Sequence, residues 1–252
     1  DTNPYVYKTT NYGESWTSIA ADIPRSVFSY AHVIREDPTR AGLLYLGTEN
    51  SLLVSHDDGG SWMSLQGDLP HAPVYWLTVQ PHFNDLVVAT YGRGFWILDD
   101  ITPVQQLTDE VLASPVHLFE PRSAYRYLPR TSGNSQPRDP AAGENPDYGA
   151  SINFHLAEAP EGRATVTIAT EAGDPVTTLT ARGVGVGLNR VMWNLRYDPS
   201  STPRIRTPAL EHGHRDVGPS GWRSAPDGGP VRPLATPGRY RVTLSVAGEE
   251  HS

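Results

Sequence analysis

The sequence predicts an all-β chain, and three observations support this prediction. Gly and Pro each occur 23 times among the 252 residues, a composition that favours short strands joined by tight turns over long helices. An eight-residue motif recurs further along the chain together with the runs that surround it. Short runs rich in Val, Leu, Tyr and Trp alternate with Gly, Asp and Pro, as strands alternate with turns.

Composition also excludes several functions. The 20 Lys and Arg residues against 28 Asp and Glu residues give a net charge of -8, so the chain lacks the positive surface that nucleic acids require. The chain has no Cys, which removes disulfides, thiol chemistry and zinc-thiolate sites. No apolar run approaches the roughly 18 residues of a membrane span. No Gly-rich phosphate loop follows a strand, so no cofactor is predicted.

The repeat is built around two copies of one octet, at residues 9–16 and 55–62. Both copies have the form Ser/Thr-x-Asp/Asn-x-Gly-x-Ser-Trp, and an Asp-Ile/Leu-Pro run follows each at the same distance. A period in the mid-forties with four short strands per repeat is typical of propeller blades. The complete blade is predicted to have strands at 29–35, 43–48, 51–56 and 61–65. The next blade is predicted to have strands at 74–80, 86–90 and 94–98, and half a blade precedes both.

The octet is predicted to be a structural turn. Its Asn11 or Asp57 can accept backbone N–H bonds of its own turn, and its Gly supplies a positive φ. Its Trp covers the turn and packs between sheets. The structural residues predicted on this basis are Thr9, Asn11, Gly13, Trp16, Ser55, Asp57, Gly59 and Trp62.

The octet is the Asp-box, and residues 1–103 resemble Asp-box (BNR) repeat β-propellers. That group includes sialidases, xyloglucan-type glycosidases, sortilins and bacterial sortilin-like repeat proteins. The run Gly92-Arg93-Gly94-Phe95-Trp96-Ile97-Leu98-Asp99-Asp100 resembles the segment that ends the last blade in the bacterial sortilin-like proteins. Residues 115–126 resemble the connector that follows it. The resemblance implies a partial propeller of about two and a half blades at 1–103, then a connector and linker at 104–149.

The second module is expected to be an immunoglobulin-like β-sandwich at 150–252. Short strands are predicted at 151–156, 163–170, 176–179, 189–195 and 239–246. Residues 187–194 and 236–242 resemble strands of FlgD-type Ig-like domains. The Pro-rich stretch from Pro199 to Pro237 is too long for a hairpin and is interpreted as an irregular insertion. Both ends of the chain look like cuts, so we expect a fragment with a truncated last module.

The resemblance also selects candidate ligand residues. Propeller ligands lie on the face that carries the loop between the second and third strands of a blade and the loop joining successive blades. The ligand-face candidates are Glu49, Asn50, Tyr75, Trp76, Tyr91 and Arg93, with Arg25 and His71 nearby. Such aromatic side chains with a few polar groups suit sugar stacking or peptide capture. Alternatively, Tyr75 and Trp76 pack between blades, and Arg93 forms a salt bridge at the rim.

No catalytic residue is predicted. Glycoside hydrolysis needs two carboxylates facing each other across a groove, and only Glu49 and Asp68 are expected near the ligand face. In the glycosidase relatives the catalytic acids come from other blades. The sequence His212-Gly213-His214 with Asp216 does not have a recognised zinc spacing, so no metal site is predicted.

The resemblance implies a non-catalytic binding or scaffold role in an exported sortilin-like propeller protein. The expected ligand is a protein or a carbohydrate, and the remaining blades of the same polypeptide are expected partners. The expected location is secreted, periplasmic or at the cell surface. The alternative is part of a secreted, xyloglucanase-like glycoside hydrolase whose acids lie outside this sequence. A third hypothesis is a structural protein of the cell surface.

Overall fold

The computed structural model describes residues 1–127, 145–201 and 230–252, which form two compact units. The first unit comprises Asp1–Arg122 with Asn153–Ala157, and the second comprises Ser123–Ile152 with Glu158–Ser252. Most of the predicted linker and insertion, and the His212 to Asp216 sequence, lie outside the described residues. Within these three ranges, no helix has the length and apolar character needed to cross a membrane.

The first unit contains three antiparallel sheets that follow the repeat, with strand orders β1-β2, β3-β4-β5-β6 and β7-β8-β9. All the strands predicted for the two blades are present, although β6 has only two residues. The elements are β1 Tyr7–Lys8, β2 Thr17–Ser18, β3 Ala31–Glu36, β4 Leu44–Thr48, β5 Leu52–Ser55, β6 Met63–Ser64, β7 Val74–Gln80, β8 Asp85–Thr90, β9 Phe95–Leu98, α1 Thr102–Gln106, α2 Asp109–Ala113 and β10 Val116–Leu118.

Strand β4 lies at the centre of this unit because it is apolar on both faces. Leu44 and Leu46 pack with Val6 and Trp62 in one core cluster. Tyr45 belongs to a second cluster formed with apolar residues of β7 and β8. Every residue of β4 is buried, as expected for a strand covered on both sides. The sheet β3–β6 is therefore packed between its two neighbours.

Gly47 lies at a close approach between the sheets β3–β6 and β7–β9. A Cβ atom at Gly47 would lie 2.5 Å from Cγ1 of Val74, 2.7 Å from the carbonyl oxygen of Val74 and 2.8 Å from Cγ1 of Val33. These separations are well below the 3.5–4.0 Å of favourable carbon contacts. A glycine at this position lets the two sheets come into contact.

The two Asp-box turns have the same hydrogen-bond pattern. Oδ1 of Asn11 accepts from the backbone N–H of Ser15 at 3.0 Å, and Oδ1 of Asp57 accepts from that of Ser61 at 2.8 Å. Gly13 and Gly59 have φ values of 95° and 89°. The predicted Asx-type turn with a positive-φ glycine is confirmed in both copies.

The hydroxyl that opens each box is also bound within the turn. Oγ1 of Thr9 accepts from the N–H of Gly13, and Oγ of Ser55 accepts from that of Gly59, both at 2.8 Å. The closing Trp residues differ. Trp62 is buried and donates from Nε1 to the carbonyl oxygen of Ile19 at 2.8 Å. Trp16 is 60% exposed, because β1–β2 has no further described sheet on its outer side.

Helix α1 is fixed to the sheets by a hydrogen-bonded clamp. Nη1 of Arg40 donates to the carbonyl oxygens of Gln105 at 2.9 Å and Leu107 at 2.7 Å. The carboxylate of Asp37 accepts from Nε2 of Gln105 at 2.9 Å and from the hydroxyl of Tyr45 at 3.0 Å. Burial alone would raise the pKa of Asp37, but the bond from Gln105 and two backbone bonds outweigh it and lower that pKa.

The second unit is also built from antiparallel strands, and the class of the described residues is all-β apart from α1 and α2. One sheet has the order β13-β12-β15-β16, and β14 is the neighbour of β11 in another. The elements are β11 Ala150–Leu156, β12 Ala164–Thr170, β13 Pro175–Thr180, β14 Gly187–Trp193, β15 Tyr240–Val246 and β16 Glu249–His251. The five strands predicted for this module correspond to β11 to β15.

Candidate functional site

Two turns at the same end of neighbouring sheets carry four of the six predicted ligand residues, and the other two, Tyr75 and Trp76, lie in β7. Residues 49–51 join β4 to β5, and residues 91–94 join β8 to β9. The N–H of Glu49 donates to the carbonyl oxygen of Tyr30 at 3.2 Å, and that of Tyr91 donates to Pro73 at 2.9 Å. Each turn is thus bound to the residue that precedes the first strand of its own sheet.

A β-bulge occurs at the same place in both sheets. The register of β3 against β4 shifts between Ala31 and Val33, and that of β7 against β8 shifts between Val74 and Trp76. The extra residues are His32 and Tyr75. Bulges reorient side chains and are common beside functional sites. These two bulges direct His32 and Tyr75 towards each other.

The two sheets are joined by a chain of ring contacts that we call the aromatic row. It consists of Tyr30, His32, Tyr75 and Tyr91. His32 stacks on Tyr75 with ring centroids 4.2 Å apart and an interplanar angle of 22°. Tyr91 lies 5.7 Å from Tyr75. Tyr75 is 50% exposed and Tyr91 is 73% exposed, so the row presents two tyrosine rings to solvent.

Glu49 lies beside the aromatic row and is held by two of its members. Oε2 of Glu49 is 2.7 Å from Nε2 of His32, and both side chains are largely covered. Partial burial raises the pKa of Tyr30, and the hydrogen bond to Glu49 and the charge of that carboxylate raise it further.

The other candidates lie around this centre. The guanidinium of Arg35 lies over the ring of Trp76, 4.2 Å from its centroid. The carbonyl oxygen of Asn50 lies 3.0 Å from Nδ1 of His71, which places the loop between sheets beside the turn at 49–51. Within the described residues, no ring contact joins Trp76 to the aromatic row.

Arg93 is exposed at the tip of the second turn, and its carbonyl oxygen accepts from Nε1 of Trp96 at 2.9 Å. The structure thus brings Glu49, Tyr75 and Tyr91 together and leaves Arg93 and Trp76 at the margin. Since Tyr75 and Trp76 are each at least half exposed, neither is a core residue of the described sheets.

Sequence reasoning missed Tyr30 and His32, which complete the site. Tyr30 directly precedes β3, and His32 occupies the position in β3 that Tyr75 occupies in β7. Aligning the two first strands of the repeat would have found this correspondence. The bulges that turn the two side chains together carry no clear sequence signal.

The groups that the site presents are aromatic and polar. The site offers two open tyrosine rings, a carboxylate acceptor and an imidazole within one small surface. Asp68, the other acidic residue expected near the ligand face, is exposed in the loop that precedes β7. Among residues 1–127, 145–201 and 230–252, no group of three or more His, Asp or Glu side chains is placed to hold a metal ion.

Comparisons with protein-family models, with curated proteins and with solved structures give no match to this chain.

Proposed function

We propose that the first unit is part of an Asp-box propeller in an exported protein, and that it binds a protein or glycan ligand without catalysis. The observation that carries the proposal is the aromatic row, with Tyr75 and Tyr91 open to solvent beside the Glu49 carboxylate. Ligand sites combine apolar and aromatic surface with a small number of fixed polar groups in this manner.

The rigidity of the row supports a binding role. His32 stacks on Tyr75, and Glu49 contacts His32 from its other partner position. Tyrosine presents a large amphipathic surface at a low cost in side-chain entropy. Because the ring stack already restricts Tyr75, a ligand loses less free energy in ordering this surface.

The packing of the sheets supports the propeller. Two residues of β5 that face the next sheet, Leu52 and Val54, are buried in the cluster shared with that sheet. Their counterparts in the repeat are Phe95 and Ile97 of β9, which are 79% and 58% exposed. The outer face of β7–β9 therefore has the apolar pattern of a face that another blade covers.

For the second unit we propose an immunoglobulin-like sandwich that acts as a spacer or docking module. Trp193 at the end of β14 contacts Tyr240 at the start of β15 edge to face, with centroids 5.0 Å apart. These residues belong to different sheets, and an aromatic contact of this kind is favourable between the inner faces of two sheets.

The test is to express the full chain and measure its binding to a glycan array and to a library of protein fragments, with polysaccharide hydrolysis followed in parallel. We expect binding without release of reducing ends. Tyr91→Ala should weaken that binding about tenfold, as expected for an aromatic contact of roughly 1.4 kcal/mol.

Tyr12→Ala is the matched control, because Tyr12 is fully exposed in the first Asp-box turn. It should leave binding unchanged. Release of reducing ends by the wild-type chain would overturn the non-catalytic proposal. Binding that responds equally to both substitutions would show that the aromatic row is not the site.

A further inference from the structure

We propose that the group which the aromatic row recognises is an organic cation, such as the ammonium group of a lysine-like side chain or of a choline-like ligand. This inference rests on the proposed binding function and adds the chemical class of the ligand. Three features carry it: two open tyrosine faces, an adjacent carboxylate, and a cation already seated on a neighbouring aromatic ring.

The first feature is the pair Tyr75 and Tyr91. The faces of aromatic rings carry negative electrostatic potential and attract cations within about 6 Å of the ring centroid. One face of Tyr75 is occupied by His32, whereas half of its surface and most of that of Tyr91 stay open. The two rings are tilted by 37° with centroids 5.7 Å apart, so one small cation can contact both.

The second feature is the charge of Glu49. His32 stacks on Tyr75 and also contacts Oε2 of Glu49 at 2.7 Å. The His32 ring therefore connects the carboxylate to Tyr75. A carboxylate can accept about four hydrogen bonds, and the contact with His32 uses one of these positions. Its partial burial reduces screening by solvent and strengthens its attraction for a positive group.

The third feature is a contact at the margin of the aromatic row. The guanidinium of Arg35 lies 4.2 Å from the centroid of Trp76, and Trp76 follows Tyr75 directly. The chain thus already uses one ring of this strand to bind a cation of its own. Tyr75 and Tyr91 offer the same kind of surface, and the cation–π contacts of the described residues place no Lys or Arg side chain on either ring.

The experiment titrates the full chain with choline and, separately, with its neutral isostere in which carbon replaces the charged nitrogen. Binding is followed by calorimetry and by tyrosine ring signals in NMR spectra. We expect choline to bind about three- to thirtyfold more tightly than the isostere, the range of cation–π contacts from exposed to desolvated sites. Glu49→Gln should weaken choline binding and leave binding of the isostere unchanged.

Two further variants test the location. Tyr91→Ala should reduce choline binding, whereas Tyr12→Ala should not. Arg93→Gln removes a positive charge from the turn that carries Tyr91, so choline binding should be unchanged or stronger. A loss of binding in Arg93→Gln would overturn the inference, because the ligand would then depend on a cation rather than supply one.

Equal binding of choline and its isostere would also overturn the inference, as would absence of choline binding to the wild-type chain. Either result is distinguishable from failure of the proposed function. If glycan or protein ligands still bind through Tyr91, the recognition surface stands and only the cationic class is wrong. If no ligand of any class depends on Tyr91, both proposals fail.

Discussion

Replacing Gly47 by Ala tests the packing of sheet on sheet that positions the aromatic row. Gly47 lies on the face of β4 that meets β7. The added methyl group would lie 2.5 Å from Cγ1 and 2.7 Å from the carbonyl oxygen of Val74. The carbonyl belongs to the backbone of a paired strand, so it cannot turn aside as a flexible side chain would. The sheets must instead separate by roughly 1 Å to restore a normal contact.

Overpacking of this kind costs about 1–3 kcal/mol. Since one of the clashing atoms is backbone, we expect a value near the upper end, about 2–3 kcal/mol. For a chain of this size, that loss lowers the melting temperature by roughly 4–12 °C. The separation should also disturb the contact between His32 and Tyr75, because their strands flank Gly47.

Thermal and denaturant unfolding, followed by circular dichroism, measure the change. Gly185→Ala is the control, because a Cβ there meets nothing within 4 Å and Gly185 has no positive φ. It should leave the stability unchanged or raise it by up to about 1 kcal/mol. If Gly47→Ala melted at the wild-type temperature, the close contact between these sheets would be wrong.

Three further outcomes are expected. Asp57→Asn should cost little, because Asn11 accepts the corresponding backbone N–H bond in the first box, whereas Asp57→Ala should lower the free energy of unfolding by about 1 kcal/mol in denaturant titrations. The wild-type chain should self-associate through the outer face of β7–β9. In sedimentation velocity, Phe95→Glu should shift the chain towards monomer. The melting temperature should not fall, because Phe95 is 79% exposed. Burial, and to a smaller extent the neighbouring His155, lowers the pKa of His117. As the pH falls, His117 is therefore protonated in the unfolded chain before it is protonated in the folded chain. The free energy of unfolding should decrease as the pH drops below about 6.5. That part of the pH dependence should be missing from melting curves of His117→Gln.

The strands of the repeat could be predicted because their pattern is local. Apolar runs such as Leu52–Ser55 and Phe95–Leu98 are bounded by Gly, Asn or Asp, and the two Asp-boxes fix the turns. Helices α1 and α2 were not predicted. Each has five residues, too few to show a helical period, and α1 depends on Arg40, which is distant in sequence.

The site could be predicted only in part. Glu49 and Tyr91 were selected from the turns that carry them and Tyr75 from its place next to the loop between blades, and these three lie together. Tyr30 and His32 were missed because side-chain direction in a strand follows a period of two, and a bulge breaks that period. An assignment that treats β3 as a regular strand would place the His32 imidazole on the wrong face of the sheet.

Because Arg40 and Asp37 bind helix α1, the stability of that helix depends on the stability of the sheets. A five-residue helix is far below the length that is stable alone in water, so α1 stays helical only while Arg40 and Asp37 hold it. The backbone N–H of Gln105 donates to the carbonyl oxygen of Ile101 at 3.0 Å. Its hydrogen exchange with solvent should therefore be governed by opening of the β3–β4 region, where Arg40 lies 65 residues before Gln105. Members of one cooperative unit exchange together.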